Sequence, residues 1–117
     1  MSGVNESVLV GALVNVHVPD ALMPEIMAAF AGDFAHSKEV VSLLEQVVGN
    51  LAEKDVVDSL MLQVKMVPTL PPGLAALFDW LQTTETVTPL QFEETVNAVV
   101  VAIQSNESWF TKIDPLA

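Results

Sequence analysis

The sequence predicts an all-α fold, in which residues 1–117 form a single compact bundle of five or six short-to-medium helices. Apolar residues recur at helical spacing along several segments, and prolines divide the chain into pieces of helix length. No Gly/Ser-rich linker or low-complexity run marks a boundary between domains. The chain has 117 residues and no cysteine. Its core must therefore form without disulfides, and the chain is long enough for that.

The first segment, residues 7–18, is compatible with either a helix or a strand. Several of its apolar residues recur at helical spacing, whereas residues 14–18 alternate between apolar and polar side chains as a strand would. Because the rest of the sequence offers no credible pairing strand, we predict a helix. A second, short helix is predicted to open at Pro24 and to continue through Phe30.

The clearest helix covers residues 37–51. Ser37 is a favourable N-cap residue, because its hydroxyl can accept a hydrogen bond from a free backbone N–H of the first turn. The polar residues of this segment fall on the opposite side from its apolar ones, which is typical of an amphipathic helix. Six apolar residues form the stripe: Val40, Val41, Leu44, Val47, Val48 and Leu51.

Two shorter helices are predicted next. Asp55 is expected to cap a helix that ends before Pro68. Residues 71–73, Pro-Pro-Gly, then lead into an amphipathic helix. Four of its apolar residues are expected to face inward: Leu74, Leu77, Phe78 and Leu81.

The last helix is predicted from Pro89 to about Ser105. Thr88 at the N-cap, proline at the first helical position and Gln91 three residues after the threonine form a capping box. Val101 falls on the polar side of this helix, so the helix is either central in the bundle or carries an interface. The expected inward face consists of Phe92, Val96, Val99, Val100 and Ile103.

The charge of the chain comes from a shortage of basic residues. It has 15 acidic residues and 4 lysines, no arginine, and a formal net charge of −11. The lysines lie far apart and form no basic patch, so we expect no binding to nucleic acid. The carboxylates are scattered singly except at Glu93-Glu94, which disfavours a mimic of the regularly charged DNA backbone.

Hydrophobic residues make up 51% of the chain, which is high for a small domain. The longest apolar run, residues 8–18, contains Asn15 and His17 and is shorter than the roughly 20 residues of a membrane span. The sequence begins MSGVNE, without a cation before the apolar run, so we expect no secretory signal. We predict a cytoplasmic protein that does not enter the membrane and that covers its excess apolar surface with a large core or a partner.

Residues 58–60, Asp-Ser-Leu, resemble the tripeptide around the modified serine of acyl carrier proteins, which are also small, acidic and helical. The resemblance implies a phosphopantetheine arm on Ser59, at the start of a long helix. The sequence departs from that pattern because Pro68 shortens the following helix, Lys65 lies where carriers have carboxylates, and Val56-Val57 replaces a glycine-rich loop. We therefore interpret Ser59 as a polar residue in the first turn of a helix and predict no cofactor.

Other catalytic signals are weak. His17 and His36 are the two histidines, and Asp33 precedes His36 by three residues, a spacing that could pair them on one helix face. No second ligand motif accompanies them, and a helix-terminal or exposed histidine is the commoner case. The sequence has no nucleophile elbow and no glycine-rich phosphate loop. We predict no catalytic residue and no metal site.

These observations favour a non-enzymatic protein–protein interaction or assembly module, of the kind found among immunity proteins and antitoxins, chaperones and phage morphogenesis subunits. The expected partner is a basic protein, or a second copy of the chain. The alternative is a carrier or small-ligand-binding helical protein with a cavity between its helices. The predicted partner-binding residues are Glu93, Glu94 and Asp114 for charge, and Val101, Trp109 and Phe110 for apolar contact.

Overall fold

A computed structural model describes the backbone of residues 2–30 and 35–113, and the side chains of residues 7–30 and 35–105. Over these ranges every regular element is a helix, which confirms the predicted all-α class. The first segment is a helix, as predicted. The six helices are α1 (Ser2–Asn15), α2 (Met23–Ala28), α3 (Ser37–Gly49), α4 (Lys54–Lys65), α5 (Pro72–Thr83) and α6 (Pro89–Ile113).

Helix α1 ends in a left-handed turn at His17, whose φ is 61°. The N–H of Val18 donates to the Leu13 carbonyl at 3.1 Å, and the N–H of His17 donates to the Val14 carbonyl at 3.0 Å. This pair of bonds is a Schellman motif with a histidine in the place that glycine usually takes. The apparent strand alternation of residues 14–18 therefore reflects the end of a helix and the buried Val18 beyond it.

Helices α2 and α5 pack closely at Gly73 in the first turn of α5. A Cβ atom at this position would lie 1.9 Å from the carbonyl oxygen of Glu25 in α2. Only glycine permits this approach, because the obstacle is a backbone atom that no side-chain rotation can move. Helix α2 ends at Ala28, so the prediction that it continues through Phe30 is wrong.

The predicted stripe of α3 is confirmed at its centre, where Val40, Leu44 and Val47 are fully buried. Two predicted caps are wrong. Helix α3 has His36 at its N-cap position, and α4 has Glu53 there, and neither side chain forms a capping bond.

Helix α4 begins one residue before Asp55. Ser59 is consequently its sixth residue, so the prediction that this serine lies in the first turn is wrong.

The capping box of α6 is confirmed atom by atom. The Thr88 N–H donates to Gln91 Oε1 at 3.0 Å, and the Gln91 N–H donates to Thr88 Oγ1 at 3.1 Å. The helix continues to Ile113, beyond the predicted end near Ser105. No glycine or proline stands between Ser105 and Pro115 to stop it.

The core lies around α6, which packs against α1 and α3, while α3 packs against α4. Helix α6 is buried on most of its circumference between Thr95 and Ile103. The hydroxyl of Thr95, which is almost fully buried, donates to the Gln91 carbonyl at 2.8 Å, so this polar group is satisfied. None of the helices in the described ranges has both the length and the hydropathy needed to cross a membrane.

Candidate partner-binding surface

The exposed side of α6 is a narrow stripe. Four of its exposed residues, Leu90, Glu94, Asn97 and Val101, follow each other at intervals of three or four and therefore share one face. Val101 is 38% exposed, whereas its neighbours Val99, Val100, Ala102 and Ile103 are buried. The described part of α6 thus combines a central position in the bundle with a thin outward face.

Three of the predicted partner-binding residues lie on this described part of α6. Glu94 and Val101 are exposed and seven residues apart, so they lie on the same face, and Glu93 is half-buried beside them. Trp109 and Phe110 belong to the same helix, but their side chains are outside the described residues. Asp114 is outside them altogether.

Helix α1 also presents apolar side chains outward. Val8 is 50% exposed and Val14 is 60% exposed, while Leu9 and Leu13 are buried on the opposite side. Residues 7–19 contain no aspartate, glutamate or lysine. From residue 7 onward the surface of α1 is therefore uncharged, which is unusual on a chain with a net charge of −11.

A polar network joins α4 to α5. Lys65 is the last residue of α4, and its side chain is 25% exposed. Its Nζ donates to Asp79 Oδ1 at 2.5 Å and to Gln82 Oε1 at 2.7 Å, both in α5. Gln82 in turn donates through Nε2 to Asp58 Oδ1 at 3.4 Å. The network continues from there to Lys54 in the first turn of α4.

Lys54 and Asp58 form an ion pair of 2.8 Å, four residues apart on α4. The hydrogen bond from Lys54 holds the pKa of Asp58 below its ordinary value, and the hydrogen bond from Gln82 and the charge of Lys65 act in the same direction. The hydrogen bond to Asp58 and its negative charge raise the pKa of Lys54. Both groups are therefore held in their charged forms at neutral pH.

An open cleft of about 290 Å³ adjoins this ion pair. It lies where the start of α4, the end of α5 and the start of α6 meet. Lys54, Asp58 and Gln82 supply polar groups at the cleft, and the remaining lining is largely apolar. The other lining residues are Leu51, Val57, Leu81, Val87, Thr88, Pro89 and Phe92.

A larger groove of about 790 Å³ runs between the start of α3 and the later part of α6. Its walls include His36, Val41 and Glu45 from the first side and Ile103 and Gln104 from the second.

The described lysines do little to neutralise the surface. Lys54 and Lys65 pair with Asp58 and Asp79, and Lys38 forms no ion pair with a described side chain. The other carboxylates of the described side chains also form no ion pair with a described side chain, and most are exposed. They are Asp20, Glu25, Glu39, Glu45, Glu53, Asp55, Glu85, Glu93 and Glu94.

The sites considered for catalysis or modification are dispersed. Ser59 is exposed in the middle of α4. His36 contacts Thr69 Oγ1 through Nδ1 at 3.3 Å, and His17 ends α1. Asp33, the predicted neighbour of His36, lies outside the described residues. Among the described side chains, no group of three histidine, aspartate or glutamate residues is arranged to hold a metal ion.

The cleft is the feature that sequence reasoning missed. Its walls come from three consecutive helices, and periodicity describes each helix separately without saying how the three pack. The sequence nonetheless contains one indication of the cleft. The apolar residues Val87 and Phe92, which both line it, flank the capping box of α6, and this cap fixes how the chain enters the helix.

Comparisons with protein-family models, with curated proteins and with solved structures found no match to this chain.

Proposed function

We propose that this chain is a non-enzymatic, cytoplasmic interaction or assembly module that binds a basic protein. The observation that supports the proposal is the set of described carboxylates that form no ion pair with a described lysine. A surface of this kind attracts a basic partner from a distance and orients it before contact. Immunity proteins and antitoxins, chaperones and phage morphogenesis subunits are the classes that such a module fits.

Glu93 and Glu94 are the first carboxylates to test, because they are adjacent in sequence and lie at the start of a helix that the capping box fixes. A rigid helix presents charges at fixed positions, so a partner gains more from each contact than it would from a flexible loop. Val101 lies two turns further along on the face of Glu94, where it would add apolar contact.

The test is capture of partner proteins from the source cells by the tagged chain, with the bound proteins identified by mass spectrometry. We expect a stoichiometric basic protein. The double variant Glu93→Lys/Glu94→Lys should then weaken binding of that purified partner by about tenfold at low salt. A chain that captures no protein, runs as a monomer and carries a small molecule would instead support the carrier alternative.

A matched control separates local contact from net charge. The double variant Glu39→Lys/Glu45→Lys reverses two exposed carboxylates of α3 and gives the same net charge. It should weaken binding less than the α6 variant. Equal affinities for both variants and the wild type would remove Glu93 and Glu94 from the interface.

The uncharged outward face of residues 7–15 in α1 supports self-association as a second use of the surface. Val8 and Val14 are exposed there, and α1 lies alongside α6. Two copies of a chain with a net charge of −11 repel each other least where neither carries charge. Sedimentation velocity of the purified chain distinguishes monomer from dimer, and Val8→Lys should favour the monomer.

A further inference from the structure

The geometry points to the cleft between α4, α5 and α6 as the docking site for a partner segment in which an apolar side chain is flanked by lysine or arginine. This inference rests on the proposed function, because it specifies where and by what chemistry the basic partner binds. The observations that support it are the volume and lining of the cleft and the carboxylates that lie in or near its lining.

The lining suits an apolar side chain. Leu81 at the end of α5 is buried at its floor, and Val57, Val87 and Phe92 are partly or fully buried around it. The volume of about 290 Å³ is at the lower limit of small-molecule pockets, which span roughly 300–1,000 Å³. An open depression of this size accommodates one large side chain of a partner, such as leucine or phenylalanine.

The carboxylates that line the cleft or lie close to its lining residues in the sequence suit cations on either side of that side chain. Asp58 lines the cleft, and Lys54 is paired with it. Five further carboxylates that lie one or two residues along the chain from lining residues have no ion pair with a described side chain. They are Glu53, Asp55, Glu85, Glu93 and Glu94.

Charge complementarity selects this occupant over the others. An acidic segment, including most of the exposed surface of a second copy, would be repelled by these carboxylates. A neutral apolar segment would fill the cleft but would gain no electrostatic attraction from the nearby carboxylates. A basic segment with an apolar anchor gains from both, with the anchor buried at the centre and the charges at the exposed edge, as in other protein interfaces.

The experiment uses two synthetic peptides and the full chain. One peptide consists of lysines with a single central leucine, and the other has serine in place of the leucine. Each is titrated into the isotopically labelled chain, and backbone amide shifts are followed by NMR. We expect the leucine peptide to bind on the order of tenfold more tightly and to shift amides of residues 51–58 and 81–92.

Two variants with the same chemical change provide the control. Val87→Lys places a cation in the cleft, whereas Val8→Lys places one on the exposed face of α1. Val87→Lys should weaken binding of the leucine peptide by about tenfold relative to Val8→Lys. If Val87→Lys fails to fold, the shift map of the wild-type chain still decides the site.

Three results would overturn the inference. The two peptides could bind equally with shifts spread over all the acidic segments, or the shifts could centre on Val8, Val14 and Val101. A basic partner captured from cells could also bind with equal affinity to the wild type and to folded Val87→Lys. Each of these leaves the proposed function standing, whereas failure to bind both the peptides and any basic protein would remove the function itself.

Discussion

Helices α1 and α6 are held together by apolar side chains, whereas α4 and α5 are linked by a polar network. Residues 7–15 of α1 and residues 95–105 of α6 carry no aspartate, glutamate or lysine. A hydrogen bond between these helices, from Gln91 Nε2 to the Asn15 carbonyl, is 3.4 Å long and lies at the end of the pair. In the second pair, Lys65 makes two shorter bonds across the helices.

The difference indicates that the two pairs of helices have different roles. Burial of apolar side chains is non-directional and is not weakened by ionic screening, so we expect the stability that the α1–α6 pair supplies to persist at raised salt concentration. Charged groups at a surface stabilise little by themselves but steer partners and decide which of them bind. We therefore propose that the region around α4, α5 and the start of α6, where the cleft lies, specifies a partner.

The largest expected change in the free energy of unfolding comes from substitutions in the apolar α1–α6 pair. Leu13 is fully buried in α1, so Leu13→Ala should lower the free energy of unfolding by roughly 2–5 kcal/mol, measured by urea denaturation. Its neighbour Val14 is exposed, and Val14→Ala should change stability by less than about 0.5 kcal/mol. A similar loss for both variants would show that α1 does not pack as described.

The next largest difference in stability is expected between two glycine substitutions, one at a close helix contact and one in open space. Gly73→Ala forces a methyl group onto the Glu25 carbonyl, and it should destabilise the fold by about 2–3 kcal/mol. Gly11 in α1 has open space around it, so Gly11→Ala should stabilise the chain by about 0.5–1 kcal/mol through helix propensity. Thermal and urea unfolding of both variants would check the opposite signs, and a stable Gly73→Ala protein would contradict the close approach of α2 and α5.

Removing the hydrogen bonds from Lys65 to α5 should lower the free energy of unfolding by a smaller amount. Lys65→Met keeps most of the side-chain length but loses the bonds to Asp79 and Gln82, and it should lower the free energy of unfolding by about 1 kcal/mol. Lys38→Met is the control, since Lys38 has no ion pair with a described side chain, and we expect it to have almost no effect. A loss from Lys65→Met as large as that from Leu13→Ala would contradict the division between the two pairs.

The smallest effect concerns the pH dependence of Asp58. Because its pKa is lowered in the folded state, the carboxylate stabilises the fold above its ordinary pKa, and this contribution is lost as the pH falls through the lowered pKa. Carbon NMR of the carboxyl group should show a midpoint below the ordinary aspartate value. Lys54→Gln should raise that midpoint, and an unchanged midpoint would mean that the ion pair does not form in solution.

Sequence periodicity was sufficient to predict the helical class and much of the core, because one apolar stripe on a helix determines which side turns inward. The buried faces of α3 and α5 and the capping box of α6 follow from spacings of three and four residues. The end of α1 was harder, because a left-handed residue is expected to be glycine and His17 occupies that position.

Features that depend on contacts between different helices could not be predicted from the sequence. Gly73 is one of five glycines, and its role depends on the backbone of α2, which lies far away in the chain. Lys65 departed from the acyl carrier pattern, and its bonds to α5 became visible only in three dimensions. The predicted charge site at Glu93 is adjacent to Phe92, which lines the cleft, and the periodicity of α6 does not indicate this.

The most direct test of the division between a salt-insensitive fold and a charged binding region compares binding with stability across salt concentrations. The purified chain would be titrated calorimetrically with the lysine peptide that carries a central leucine, and unfolded with urea, at salt concentrations from about 0.02 M to about 0.5 M. We predict that affinity falls steeply while the free energy of unfolding stays constant or rises, because salt screens the repulsion within an acidic chain. Affinity independent of salt, or stability that falls in parallel with it, would contradict the account.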